Sequence, residues 1–114
     1  MVLDGIIGDT LDGAPFGDAA QLIRWANLCD APTIALDVPS GVDATAGIAH
    51  DPSIQAAVTL TLAVPKIGLR QRSAAAAVGE LYVADIGIPR QVLARAGIDN
   101  AKGLFAAEEI IRIW

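Results

Sequence analysis

Two spacings organise the apolar positions of this 114-residue chain. Residues 2–8 are mostly apolar, broken by Asp4 and glycines, and read as a buried strand. Ala19, Leu22, Ile23, Trp25, Ala26 and Leu28 then recur at helical spacing. They predict a helix that opens near Pro15 and closes around Asp30, because a proline (Pro32) moves the residue before it out of the α region. Asp18 is its expected N-cap or first-turn acid. Thr33–Val38 is a nearly continuous apolar run, as in a strand covered on both faces. Residues 39–53, with Gly41, Gly47 and Pro52, predict a loop, and residues 52–57 a short helical turn.

Val58–Val64 predicts a third strand, closed by Pro65 to Gly68. Residues 70–78 read as exposed, with Ala74–Ala77 either a helical turn or a loop. Gly79–Ile86 predicts a fourth strand. Pro89–Ala96 predicts a short helix with proline at its first position and Gly97 beyond its end. Ala106–Ile113, with Glu108 and Glu109 early, reads as a last helix. Strands alternating with helical segments predict an α/β domain with a mainly parallel sheet and helices on its faces. There are no repeats and no linker, so residues 1–114 are expected to form one domain. Met1 stands almost inside the first strand, which suggests that a further N-terminal portion precedes it.

Composition narrows the function. The chain is 54% hydrophobic with a net charge of -5, and only 4% of its residues are aromatic. Apart from Lys66, Arg70 and Arg72 its cations are scattered, so nucleic-acid binding is not expected. A single Cys29 excludes an internal disulfide and suits a reducing, cytoplasmic setting. No signal peptide is visible at the N-terminus, and no apolar run approaches the roughly 20 residues that span a bilayer, so no membrane role is expected.

Candidate chemistry gathers where strands end, the place where ligands bind in open α/β sheets. Asp4 lies in an apolar strand, where a carboxylate is costly unless paired or bound to a cation; oxygens of Asp4 and Ser40 would suit a hard cation, and turn capping is the plainer alternative. The backbone of Gly8–Ala14 could receive a phosphate at the start of the helix, although Asp9 and Asp12 oppose one. A plain strand-to-helix connection is the equal alternative there. Asp37, beside Pro39 and Gly41, is the candidate acid/base, with burial expected to lift its pKa. Asp43 reads as a turn acid, Lys66 as a solvated surface lysine, with a place on the same rim as the alternative, and His50 as a loop residue without a partner.

Four ordered motifs carry a resemblance. They are Asp4-Gly-Ile-Ile-Gly8 with Leu11-Asp-Gly-Ala-Pro15; Leu36-Asp-Val-Pro-Ser-Gly-Val-Asp43; Thr59-Leu-Thr61 with Pro65-Lys-Ile-Gly68; and Gly79 to Pro89. Together they resemble the YjeF N-terminal domain family of NAD(P)H-hydrate epimerases, over nearly the whole chain, which matches the C-terminal half of that domain. The resemblance implies a three-layer α/β/α Rossmann-like domain, here incomplete, that interconverts the R and S epimers of hydrated NADH or NADPH. A dehydratase domain or protein would then consume one epimer. By position, Asp4 and Ser40 match ligands of a potassium ion. Gly8, Asp9, Thr10, Leu11, Asp12, Gly13 and Ala14 match the substrate loop, and Asp37 matches an acid on the substrate, the expected catalytic residue.

Two departures stand out. The family's Asn- and Gly-rich phosphate loop and a further potassium ligand lie in the half not matched, and Asp9-Thr10 replaces the Thr-Gly of many members. The competing expectations are a non-catalytic scaffold or binding module on the same fold, or an inactive truncated fragment. A fragment of a sugar kinase is disfavoured, because no ATP-binding loop or GxGD-type motif occurs. An unpaired sheet edge would also favour a homodimer.

Overall fold

Strand pairing runs in chain order across one five-stranded sheet, β1-β2-β3-β4-β5. The structure is a computed structural model that describes residues 1–98 and 103–114. The strands are β1 (Val2–Asp4), β2 (Thr33–Leu36), β3 (Val58–Leu62), β4 (Glu80–Ala84) and β5 (Ile110–Arg112). The helices are α1 (Gly17–Leu28), α2 (Ala75–Val78) and α3 (Arg90–Arg95), with a 3-10 turn at Ile67–Arg70. β1 to β4 are parallel and β5 is antiparallel to β4. This is a mixed, mostly parallel α/β fold.

Register divides the sheet into two unlike faces. Val2, Asp4, Thr33, Ala35, Thr59, Thr61, Leu81 and Val83 alternate onto one face. Against it Ile23 and Ala26 of α1 pack with Ala35, Ile54 and Ala56, while Ala77 and Val78 of α2 pack with Leu69, Val38 and Leu81. The other face carries Leu3 at 59% and Leu36 at 44% exposure, with Ile34, Leu60, Leu62 and Tyr82 half-buried. Of the three layers expected, the described residues thus supply the sheet and one cover.

Several expectations change on contact with the fold. β1 ends at Asp4 and β2 at Leu36, so the polar ends of both runs belong to turns. Only Ala20, Ile23 and Ala26 of α1 are buried; Leu22, Trp25 and Leu28 face outward, because a helix laid on one sheet face buries a narrow stripe. Asp18 is a first-turn acid, and Phe16 holds the N-cap position without a side-chain cap. Residues 52–57 are not helical: Ile54 N–H donates to the Ser40 carbonyl and Ala57 N–H to that of Thr33, which keeps the segment extended along β2.

Residues 70–78 are not uniformly exposed, since Ala74, Ala77 and Val78 are core. Their small side chains let the chain approach closely, and at Gly79 (φ +62°) a Cβ would lie 2.4 Å from the Ala56 carbonyl oxygen. The tail is a strand rather than a helix. Ile113 N–H donates to the Leu81 carbonyl and Leu81 N–H to that of Trp114, an exchange with β4 that local spacing does not reveal.

Candidate active site

Two of the carboxylates at the sheet's carboxyl edge, Asp4 and Asp37, stand in unlike settings. Asp4 closes β1 and is 1% exposed, yet it is fully supplied with donors. Ser40 N–H donates to its Oδ2 at 2.7 Å, and Ser40 Oγ to its Oδ1 at 2.6 Å. Ile6 N–H adds a longer bond at 3.3 Å. Ser40 Oγ in turn accepts from Ile7 N–H at 2.8 Å and lies 3.2 Å from the Ile7 carbonyl oxygen. These bonds latch the turn after β1 to the turn after β2. Gly41 makes that second turn possible: its φ is +94°, and a Cβ there would meet the Pro52 carbonyl oxygen at 2.4 Å.

Asp37 is one residue beyond β2, on the side of β3. Its φ is +68°, and Val38 N–H returns to the Leu36 carbonyl, a tight three-residue turn. β3 ends the same way: Ala63 has φ +64°, and Val64 N–H returns to the Leu62 carbonyl. Turns of this hand are rare and strained for residues with a Cβ, and such strain gathers at functional sites. The doubled turn brings Lys66 back over the edge, where its ammonium forms an ion pair with Asp37 and bonds Thr61 Oγ1 at 3.1 Å. Leu62 N–H donates to Asp37 Oδ1 at 3.0 Å.

The expectation that burial would lift the Asp37 pKa is overturned. Burial does raise it. The Lys66 hydrogen bond, the Leu62 N–H, the Lys66 charge and the Thr61 hydroxyl together outweigh that, and the carboxyl is held below its ordinary value. Lys66 is likewise not a free surface lysine. Thr61 is the site residue that sequence reasoning missed, and Lys66 takes the rim position that was the less favoured alternative. The available signal was their place: Thr61 falls on the covered face of β3 and Lys66 just past its end.

The remaining candidates fall around these two. Asp9 lines a cavity of about 300 Å³ with Ala44, Thr45, Pro65, Lys66 and Ile67, which joins the Gly8–Ala14 loop to the Asp37 side of the edge. Thr10, Asp12 and Ala14 are exposed, Leu11 is half-buried, and Gly8 and Gly13 have open space around them. A smaller cavity of about 140 Å³ beyond β3 and β4 is lined by Ala63, Asp85, Arg90 and Phe105 among others. Asp43 accepts from Thr45 and Ala46 N–H, both at 2.8 Å, and those bonds hold its pKa down. It is the turn acid expected. His50 belongs elsewhere, lining a cavity of about 460 Å³ against Arg24 and Asn27 of α1.

Among the described residues no three His, Cys, Asp or Glu side chains gather as a metal site. For a hard cation such as potassium the donor chemistry fits at Asp4, Ser40 Oγ and the Ile7 carbonyl, all oxygens. No buried side-chain polar atom there lacks a partner, so these oxygens form part of a coordination shell at most. Among the described residues, no helix is long and apolar enough to cross a membrane.

Comparison with known proteins identifies the family and agrees with the fold. A 46% identical relative, an NAD(P)H-hydrate epimerase of Dehalogenimonas lykanthroporepellens, aligns with 99% of the chain and 44% of its own length. A bifunctional NAD(P)H-hydrate repair enzyme of Moorella thermoacetica is 43% identical over 82% of the chain and 18% of its own length. The chain therefore spans less than half of each of these relatives. The crystal structure of yeast ynu0 superposes with a TM-score of 0.71 at 23% identity, over 97% of this chain and 45% of that one, and so shares the fold. The family model described as YjeF-related protein N-terminus matches residues 1–68, and the chain belongs to that family.

Proposed function

We propose that this chain carries the NAD(P)H-hydrate epimerase activity named for its relatives, an isomerase acting on hydrated NADH or NADPH. The observation that carries the reading is Asp37: a half-open carboxylate at a strained strand end, kept ionised by Lys66, which itself lines a cavity. In this reading the ring nitrogen's lone pair expels the hydroxyl of the hydrated nicotinamide, which leaves as water with a proton from solvent. The cationic ring is offset by the Asp37 carboxylate. Water then adds to the opposite face, gives its proton to Asp37, and Asp37 returns it to solvent. A lowered pKa suits a base and counter-charge better than a standing acid.

Residues Gly8–Ala14 would border the substrate through Asp9, which shares the Lys66 cavity. Asp4 and Ser40, with the Ile7 carbonyl, would contribute oxygens to a potassium ion, which supplies positive charge among the acids of this edge. A dehydratase domain or protein would use the product epimer, in keeping with the bifunctional name of the Moorella relative. A cytoplasmic setting would supply the substrate. The test adds this chain to the R epimer of hydrated NADPH and follows the S epimer by chromatography, with and without potassium. The S epimer is expected to accumulate to the equilibrium ratio; a rate equal to the uncatalysed one overturns the reading.

A further inference from the structure

Among the described residues, every donor that reaches the Asp37 carboxyl group ends on the same oxygen. Lys66 Nζ, Leu62 N–H at 3.0 Å and Thr61 Oγ1 at 3.3 Å all donate to Oδ1. Oδ2 receives no hydrogen bond among the described residues, and since no buried side-chain oxygen or nitrogen lacks a partner, Oδ2 reaches solvent. The ammonium is used up in turn. Its three N–H bonds match three acceptors, namely Asp37 Oδ1, Thr61 Oγ1 at 3.1 Å and the Leu62 carbonyl at 3.3 Å. None is left over for a ligand.

Backbone geometry completes the clamp. Asp37 N–H donates to the Leu60 carbonyl at 2.8 Å, and the left-handed turn on either strand sets where the carboxyl and the ammonium meet. We infer that Lys66 is a positioning residue for Asp37. It saturates Oδ1, fixes the carboxyl plane and leaves Oδ2 as the oxygen that meets the reacting ring. The identity of that ring rests on the epimerase reading; the clamp rests on geometry. The charged groups that bear on it are Lys66 itself, from beyond β3, and Asp9, which shares its cavity from the loop after β1.

The experiment compares Asp37→Asn, Lys66→Met, Lys66→Arg and the Asp37→Asn/Lys66→Met double variant in the full chain, by epimer turnover and by ¹³C NMR titration of the aspartate carboxyls. Lys66→Met is expected to lower kcat about 100-fold, as misplacing a reacting group does, with KM moved far less. Lys66→Arg recovers most of the loss, because a guanidinium still donates to Oδ1. The double variant is no slower than Asp37→Asn alone, as required when one residue acts through the other. The Asp37 titration moves up towards the ordinary carboxylate range in Lys66→Met.

Additive losses in the double variant, or wild-type kcat in Lys66→Met while Asp37→Asn is inactive, overturn the clamp and leave the epimerase reading standing. Absence of turnover in every protein overturns the epimerase reading, and the titration then decides the clamp: an Asp37 midpoint unmoved by Lys66→Met overturns it. If Lys66→Met does not fold, Thr61→Val removes one donor from Oδ1 and is read the same way, with an expected loss of about 10-fold.

Discussion

The Asp4 and Asp37 ends of the sheet differ in what they do with a carboxylate. At Asp4 both oxygens and the whole side chain are sealed under Ser40 and the turn after β1. At Asp37 one oxygen is saturated and the other faces a solvent-lined edge. A sealed carboxylate joins two turns and holds the rim together; one with a single free oxygen can act on the substrate. The lesson is that two acids at the ends of adjacent strands are separated by how many donors each receives and on which oxygen.

Substitutions can break this contrast. The largest effect is expected at the turn between the two ends: Gly41→Ala sets a Cβ against the Pro52 carbonyl with φ at +94°, and should cost more than about 4 kcal/mol, read as loss of the cooperative thermal transition. Asp4→Ala strands the buried Ser40 N–H and hydroxyl, and a loss of about 2–4 kcal/mol is expected in denaturant unfolding. Asp37→Asn should do the reverse. Turnover falls at least about 100-fold, close to 2.7 kcal/mol in activation free energy, while the unfolding midpoint moves less than in Asp4→Ala. A stability loss in Asp37→Asn equal to that of Asp4→Ala would erase the contrast.

Acid sharpens it further. The folded pKa of Asp37 is depressed below the ordinary value of 3.8, so the unfolded chain binds the proton first. The stability this contributes is present above pH 3.8 and drains away as pH falls through the lower folded value. Equilibrium unfolding from pH 5 to pH 2 should therefore show a shallower decline in Asp37→Asn than in the wild type. The smallest effect is at the matching turn of β3: Ala63→Gly relieves a left-handed alanine (φ +64°) and should raise stability by up to about 1 kcal/mol, offset in part by unfolded-chain entropy.

What the sequence made legible was whatever depends on local pattern. The apolar cores of β1 to β4, the place of α1 and α3, and the juxtaposition of Asp4 with Ser40 follow from spacing, proline positions and the meeting of parallel strand ends. The tail was misread because Ala106–Ile113 has helical composition, while pairing with Leu81 is a long-range exchange. The direction of the Asp37 shift was misread for a related reason. Burial can be guessed from an apolar run, but the ammonium that outweighs it arrives from beyond β3 through a left-handed turn at Ala63, where no glycine marks the bend.

The most direct measurement is carboxyl ¹³C NMR of the aspartate-labelled chain as hydrated NADPH is added. The account predicts a saturable shift of the Asp37 resonance and a still Asp4 resonance. A ligand-dependent shift at Asp4 with Asp37 unmoved would contradict it.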